Sequence, residues 1–221
     1  MKHIFKSLLV FIFLFLGVSV QAQPQKAPFY KEIAQYKKQD SLQFPQKNAV
    51  LFVGSSSLRL WKDLENVFKA YGAINRGFGG STLADAIYYA DDIIYPYQPK
   101  HIFIYSGEND IASGASVDVT VDRFKILFNL IRKQIPKARI SYISIKPSIS
   151  REKFDAAFQD ANAKIKSFLS SKPATDFIDV YQAMLAENGK VRQDIFIQDN
   201  LHMNQKGYDI WIKALKPYFT E

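Results

Sequence analysis

Residues 50–61 read Val-Leu-Phe-Val-Gly-Ser-Ser-Ser-Leu-Arg-Leu-Trp. With Ala49, the run to Val53 is unbroken apolar sequence, largely β-branched and aromatic, as a strand buried on both faces requires. It stops at Gly54, and Ser55, Ser56 and Ser57 follow. A strand ending in a tight turn presents those hydroxyls beyond the carboxyl edge of its sheet, where open α/β sheets hold their ligands. The competing reading makes Ser55–Ser57 the N-cap of the next helix, a role serine fills well. Alone, the segment favours the cap, so a chemical role for these serines must be carried by the rest of the chain.

Upstream, Gln23–Pro28 is a polar lead-in, and Phe29–Gln39 has the spacing of a helix with Ile33 and Tyr36 inward. Downstream, Leu58–Phe68 reads as a short helix or loop and Ala73–Asn75 as a second strand, and Gly77-Phe78-Gly79-Gly80 follows. Three glycines in four residues mean a backbone that bends sharply or is approached closely. Thr82 and Asp85 form a capping pair for a helix over Leu83–Tyr95, which Pro96 and Pro99 close. His101–Tyr105 is the third strand and ends in Ser106-Gly107-Glu108-Asn109-Asp110. Asp118 or Thr120 starts a helix with Val121, Phe124, Leu127, Phe128 and Ile131 on one face, and Ala138–Ile145 is the fourth strand. Phe154, Phe158, Ala161, Ile165, Phe168 and Leu169 line a long helix, and Asp176–Val180 is the fifth strand. Asn204 caps a last helix with Tyr208, Trp211, Ile212 and Leu215 inward. Strands alternating with helices throughout predict an α/β fold, a parallel sheet covered on both faces.

At 221 residues the chain suits one domain with one sizeable core, and 48% hydrophobic with 23% charged residues is ordinary for a globular protein. The first 22 residues stand apart. Lys2 and Lys6, the apolar run Leu8–Leu16 and the Val20-Gln21-Ala22 step have the form of a secretory signal peptide cut after Ala22. The run is shorter than the roughly 20 residues of a membrane span, so no span is expected once it is removed; the alternative is an uncleaved anchor. That division gives 1–22 as leader, 23–48 as lead-in and helix, and 49–221 as the main domain. Without Lys2 and Lys6 the formal charge falls from +8 to +6. The remaining basic residues are scattered and form no nucleic-acid footprint. With no cysteine, the chain relies on its core alone.

The turns Gly54–Ser57, Gly77–Thr82 and Ser106–Asp110, with Gln198–His202 before the last helix, converge on one edge of such a sheet. Of three histidines, His3 leaves with the leader and His101 opens its strand at the amino edge, which leaves His202 as the one candidate base for a serine. Asp199 is three residues earlier, so within a single helical turn the two side chains can meet and the carboxylate can hold the ring tautomer. An N-cap Asp199 with a surface His202 is the plain alternative. Acyl transfer also needs donors for an oxyanion, and the Gly80 N–H, the Asn109 amide and the N–H of the nucleophilic serine itself could supply three. Trp61, Phe78 and Tyr105 are equally candidates for pocket lining and for core.

Gly54-Ser55-Ser56, Asn75 to Gly80, Gly107-Glu108-Asn109-Asp110 and Asp199-Asn200-Leu201-His202 resemble, in order and separation, the four sequence blocks of the SGNH (GDSL-like) hydrolases. The resemblance spans essentially everything after Asn48. It implies a three-layer, flavodoxin-like α/β/α fold with a five-stranded parallel sheet and serine esterase chemistry without metal or cofactor. Matched by position, it makes Ser56 the nucleophile, with Asp199 and His202 completing a triad and Ser56, Gly80 and Asn109 forming the oxyanion hole. Ser55 departs from the pattern, since the family name has Asp there, and Ser55 or Ser57 as nucleophile stays open. The expected substrate is a short-chain, chiefly acetyl, ester of a small molecule or carbohydrate. Acyl transfer to a sugar and an acyl-glycan binding module of the same fold are the alternatives. A dinucleotide site at Gly77–Gly80 lacks the Gly-x-Gly-x-x-Gly spacing.

Overall fold

The structure, a computed structural model, describes residues 27–219; the predicted leader, 1–22, lies outside them. Its strands are β1 (Val50–Gly54), β2 (Ile74–Gly77), β3 (His101–Tyr105), β4 (Arg139–Ile143) and β5 (Thr175–Ile178). They pair in the order β2-β1-β3-β4-β5, all parallel, with Val50 beside His101 and Gly54 beside Tyr105. The helices are α1 (Tyr30–Leu42), α2 (Ser56–Arg59), α3 (Leu64–Val67), α4 (Leu83–Tyr88), α5 (Ala90–Ile93), α6 (Glu108–Ala112), α7 (Val117–Gln134), α8 (Asp155–Ser170) and α9 (Gln205–Leu215).

Alternation along β1 separates two cores. Leu51 and Val53 face α1, α4, α5, α7 and α8, whereas Val50 and Phe52 face α2, α3 and α9. On the second face Phe52 stacks on Phe103 at 4.8 Å, and Trp61 stacks on Tyr208 at 5.0 Å and meets Trp211 edge-on at 6.0 Å. Burying each such ring stabilises the fold by about 1.5–3 kcal/mol. Trp61, Phe78 and Tyr105 are all core, each 1% exposed or less. Among the described residues no helix is long and apolar enough to cross a membrane.

Several boundaries differ from the sequence reading. The segment 83–95 is not one helix: Tyr89 leaves helical dihedrals (φ −97°, ψ 10°), sets its ring edge-on to Phe78, and donates its hydroxyl to the Pro28 carbonyl at 2.5 Å. The Thr82–Asp85 capping box is present. Helix α7 starts at neither Asp118 nor Thr120, because Ser116 caps it through Val119 N–H; the Thr120 hydroxyl donates back to the Ser116 carbonyl. Helix α1 runs three residues past Gln39. Strands β4 and β5 stop before Ile145 and Val180, where the Ser144 hydroxyl takes the Val180 N–H in place of a ladder bond. At Gly77 the close approach comes from α2: a Cβ there would lie 2.6 Å from the Arg59 nitrogen and from the Leu58 Cβ.

Candidate active site

Ser56 is the first residue of α2, directly beyond the carboxyl end of β1. Ser55 holds the N-cap position, but its side chain makes no cap bond, so the capping explanation of the serine cluster fails. The Ser56 hydroxyl lies 2.9 Å from His202 Nε2, across 146 residues of sequence. His202 Nδ1 lies 2.6 Å from Asp199 Oδ2. A carboxylate only accepts, so Nδ1 carries the proton and Nε2 accepts from the Ser56 hydroxyl. Ser57 turns inward, 2% exposed, and its hydroxyl meets Tyr105.

Asp199 and His202 do not share a helical turn, contrary to the spacing argument. Asn200 sits in the left-handed region (φ 54°), and Asp199 Oδ1 accepts the N–H groups of both Leu201 and His202 at 2.9 Å. This is an Asx-type turn, in which one side chain organises both the loop and the ring. Partial burial pushes the Asp199 carboxyl upward, but bonds from the His202 ring and from the His202 and Leu201 N–H groups outweigh it and hold it below the ordinary range. His101 lies at the opposite edge, opening β3, with Nε2 2.7 Å from the Ser141 hydroxyl.

The glycine and asparagine turns are locked to the serine turn by backbone. Gly54 carbonyl accepts from Phe78 N–H at 2.9 Å and Ser81 Oγ at 3.3 Å, and Asn109 Nδ2 donates to the Ser81 carbonyl at 3.0 Å. Asn109 thus keeps a second amide hydrogen uncommitted. Gly80 adopts φ +75° with open space around it, and among the described residues neither its N–H nor that of Ser56 has a partner. Below the glycine turn, Glu32 of α1 accepts the Gly79 N–H at 2.7 Å and stands 3.7 Å from Arg59, while the Tyr36 hydroxyl donates to the Gly77 carbonyl.

Sequence reasoning missed a buried charge network under Asn109. Glu108 Oε2 accepts from Tyr105 at 2.5 Å and forms an ion pair with Lys146 Nζ at 3.4 Å. Arg151 donates to the Glu108 carbonyl at 3.2 Å and stands 3.7 Å from its carboxylate. Lys146 is fully buried, so desolvation pushes its ammonium down against the pull of Glu108; Tyr105 is pushed well up by burial and then by Glu108. Asp110, also buried, accepts from Leu83 N–H at 2.9 Å and from Arg123 at 2.7 Å. Glu108 and Asp110 thereby clamp Asn109 from both sides. The only available signal was a pair of acids, Glu108 and Asp110, just past an apolar strand, because Lys146, Arg151 and Arg123 are distant in sequence. No group of three or more His, Cys, Asp or Glu side chains among the described residues is placed to hold a metal ion.

The fold recurs in solved structures. A GDSL-like lipase from Bacteroides thetaiotaomicron is 22% identical, with 84% of this chain and 96% of that one covered at a TM-score of 0.72. A candidate acylhydrolase from Bacteroides fragilis is 20% identical, covering 86% and 96% at 0.75. A catalytic mutant of an acetylxylan esterase from Geobacillus stearothermophilus is 15% identical, covering 80% and 96% at 0.63. No curated protein matches the sequence. The model of the GDSL-like Lipase/Acylhydrolase family matches residues 51–210, which hold every block noted above, and the chain belongs to that family of ester-hydrolysing enzymes.

Proposed function

We propose that the protein is an exported serine esterase that removes short acyl groups, chiefly acetyl, from small-molecule or carbohydrate esters. His202 Nε2 takes the Ser56 proton as Oγ attacks the ester carbonyl, and Asp199 stabilises the imidazolium. The Ser56 N–H, the Gly80 N–H and the free Asn109 amide hydrogen receive the oxyanion, each worth roughly 3–4 kcal/mol when removed singly. The imidazolium protonates the leaving alcohol, and water then releases the acyl group by the same route.

The observation that carries this reading is the unbroken line Asp199–His202–Ser56 at 2.6 and 2.9 Å. Support for a short acyl group comes from structural neighbours described as an acetyl esterase with acetate ion and as an acetylxylan esterase. Export rests on the leader in residues 1–22, and mass spectrometry of the exported protein should find Gln23 first, an intact Met1 counting against it. Ser56→Ala and His202→Ala should each abolish 4-nitrophenol release from 4-nitrophenyl acetate, while Ser57→Ala retains it. Turnover at the wild-type level in Ser56→Ala would overturn the assignment.

A further inference from the structure

Between the chain that follows β4 and the Tyr181–Val191 excursion after β5 lies a cavity of about 390 Å³, inside the range of roughly 300–1,000 Å³ typical of small-ligand pockets. Its wall adjoins the site. Ser148 and Ile149 line the cavity, and the next two residues reach the catalytic turns: Ser150 N–H donates to the Asn200 carbonyl and Arg151 to the Glu108 carbonyl, both at 3.2 Å. The 148–151 segment therefore links the cavity to the turns carrying His202 and Asn109.

The lining is that of a site for a neutral, hydroxyl-rich ligand. Ser148 is 2% exposed, and its Oγ is buried with no hydrogen-bond partner, a costly state that a ligand hydroxyl would relieve. The side chains of Glu152 and Lys190 are exposed at the rim and make no ion pair or hydrogen bond among the described residues, leaving one acceptor and one donor uncommitted. Tyr181 donates to Asp155 Oδ1 at 2.5 Å, which fixes an aromatic surface, and Ile149 and Val191 add apolar wall. Two carboxylates, Glu152 and Asp155, face one ammonium, so the field opposes an anionic group such as phosphate or uronate.

We propose that this cavity is the subsite for the alcohol part of the substrate, a neutral sugar unit of an acylated glycan; the proposal rests on the esterase reading above. The ester sits at Ser56, and the adjoining sugar enters the cavity, donating hydroxyls to Glu152 and to Ser148 Oγ and accepting from Lys190.

The test compares two substrates on the full exported chain. Acetylated xylo-oligosaccharides engage the cavity, whereas 4-nitrophenyl acetate does not reach it. Glu152→Gln and Lys190→Met, both at exposed positions, and Ser148→Ala should each raise KM for the oligosaccharide about tenfold, the factor a hydrogen bond to a charged or buried group is worth. All three should leave kcat, and every parameter for 4-nitrophenyl acetate, within about twofold, the variation expected of substitutions that do not touch the reacting groups. An unchanged KM for the oligosaccharide in all three variants would overturn the subsite, as would equal losses on both substrates. So would a wild-type protein that hydrolyses the aryl ester and leaves the oligosaccharide untouched. Inactivity of the wild type on both esters would instead bring down the esterase reading.

Discussion

Asp199→Asn removes the charge beside His202 while leaving the turn that carries both residues its own hydrogen bonds. The Asn oxygen can still accept the Leu201 and His202 N–H groups that Asp199 Oδ1 holds at 2.9 Å. An amide nitrogen then replaces Oδ2, 2.6 Å from Nδ1. A ring nitrogen facing a donor must accept, so the imidazole proton moves to Nε2 and Ser56 loses its proposed base. The charge itself also counts. Opposite unit charges about 4 Å apart attract by roughly 4 kcal/mol at an effective dielectric of about 20. The Asp199 side chain is 42% exposed, and doubling the dielectric for that exposure leaves roughly 2 kcal/mol. At about 1.4 kcal/mol per tenfold, the charge accounts for a factor of about 30 to 1,000. The wrong tautomer places the expected loss of kcat/KM on 4-nitrophenyl acetate at the upper end, about a thousandfold. Thermal unfolding serves as the control, with a midpoint within about 4 °C of wild type because the turn keeps its backbone bonds. A loss below about tenfold in a folded variant would refute the claim that Asp199 sets the tautomer.

Two further outcomes follow from groups outside the proposed triad. Glu32→Ala frees the Gly79 N–H and with it the neighbouring Gly80 donor, so kcat on 4-nitrophenyl acetate should fall about tenfold at unchanged KM; Glu32→Gln, whose amide oxygen still accepts, should stay within about threefold. Equal losses in both variants would show that the bond does not position the turn. Burial, helped by Arg139, pushes the His101 imidazole from 6.5 down to about 4. The unfolded ring titrates at 6.5, so between those values the unfolded state binds the extra proton and stability falls as pH drops from about 6.5 to 4, by about 3 kcal/mol in all. Urea unfolding over that range should show the slope in wild type and its loss in His101→Phe, and an unaltered slope in the variant would assign it to other groups.

What the chain disclosed in advance follows the range of the forces involved. Strand β3 was legible to the residue, because His101–Tyr105 is apolar and buried on both faces and is bounded by Pro99 and by Ser106-Gly107. The face of α7 was legible because Val121, Phe124, Leu127, Phe128 and Ile131 repeat at helical spacing and all are buried. Its start was misjudged because three capping residues, Ser116, Asp118 and Thr120, compete within five positions. The break at Tyr89 was illegible, since contacts with Phe78 and the Pro28 carbonyl decide it, and neither is local. The same holds around the site. Elimination among three histidines pointed to His202, but nothing within a helical turn of Glu108 announced Lys146 or Arg151, and nothing beside Gly79 announced Glu32.

Ser55 in the place of the family's Asp is the one departure from the expected blocks, and the geometry around it accounts for its tolerance. The serine turn is held by backbone on both sides of the side chain. Ser55 N–H donates to the Tyr105 carbonyl at 3.1 Å, and the Ser55 carbonyl accepts from Leu58 and Arg59. On the strand side, Gly54 lies so close to β3 that a Cβ would stand 1.8 Å from the Tyr105 carbonyl oxygen, so only glycine lets β1 and β3 meet in this register. The direction in which Ser56 leaves the strand is therefore set by Gly54, by the β1–β3 ladder and by the first turn of α2. None of these needs a carboxylate at position 55, where the buried serine makes no cap bond. In this chain the turn needs glycine at position 54, and the residue at position 55 has only to be small enough to bury.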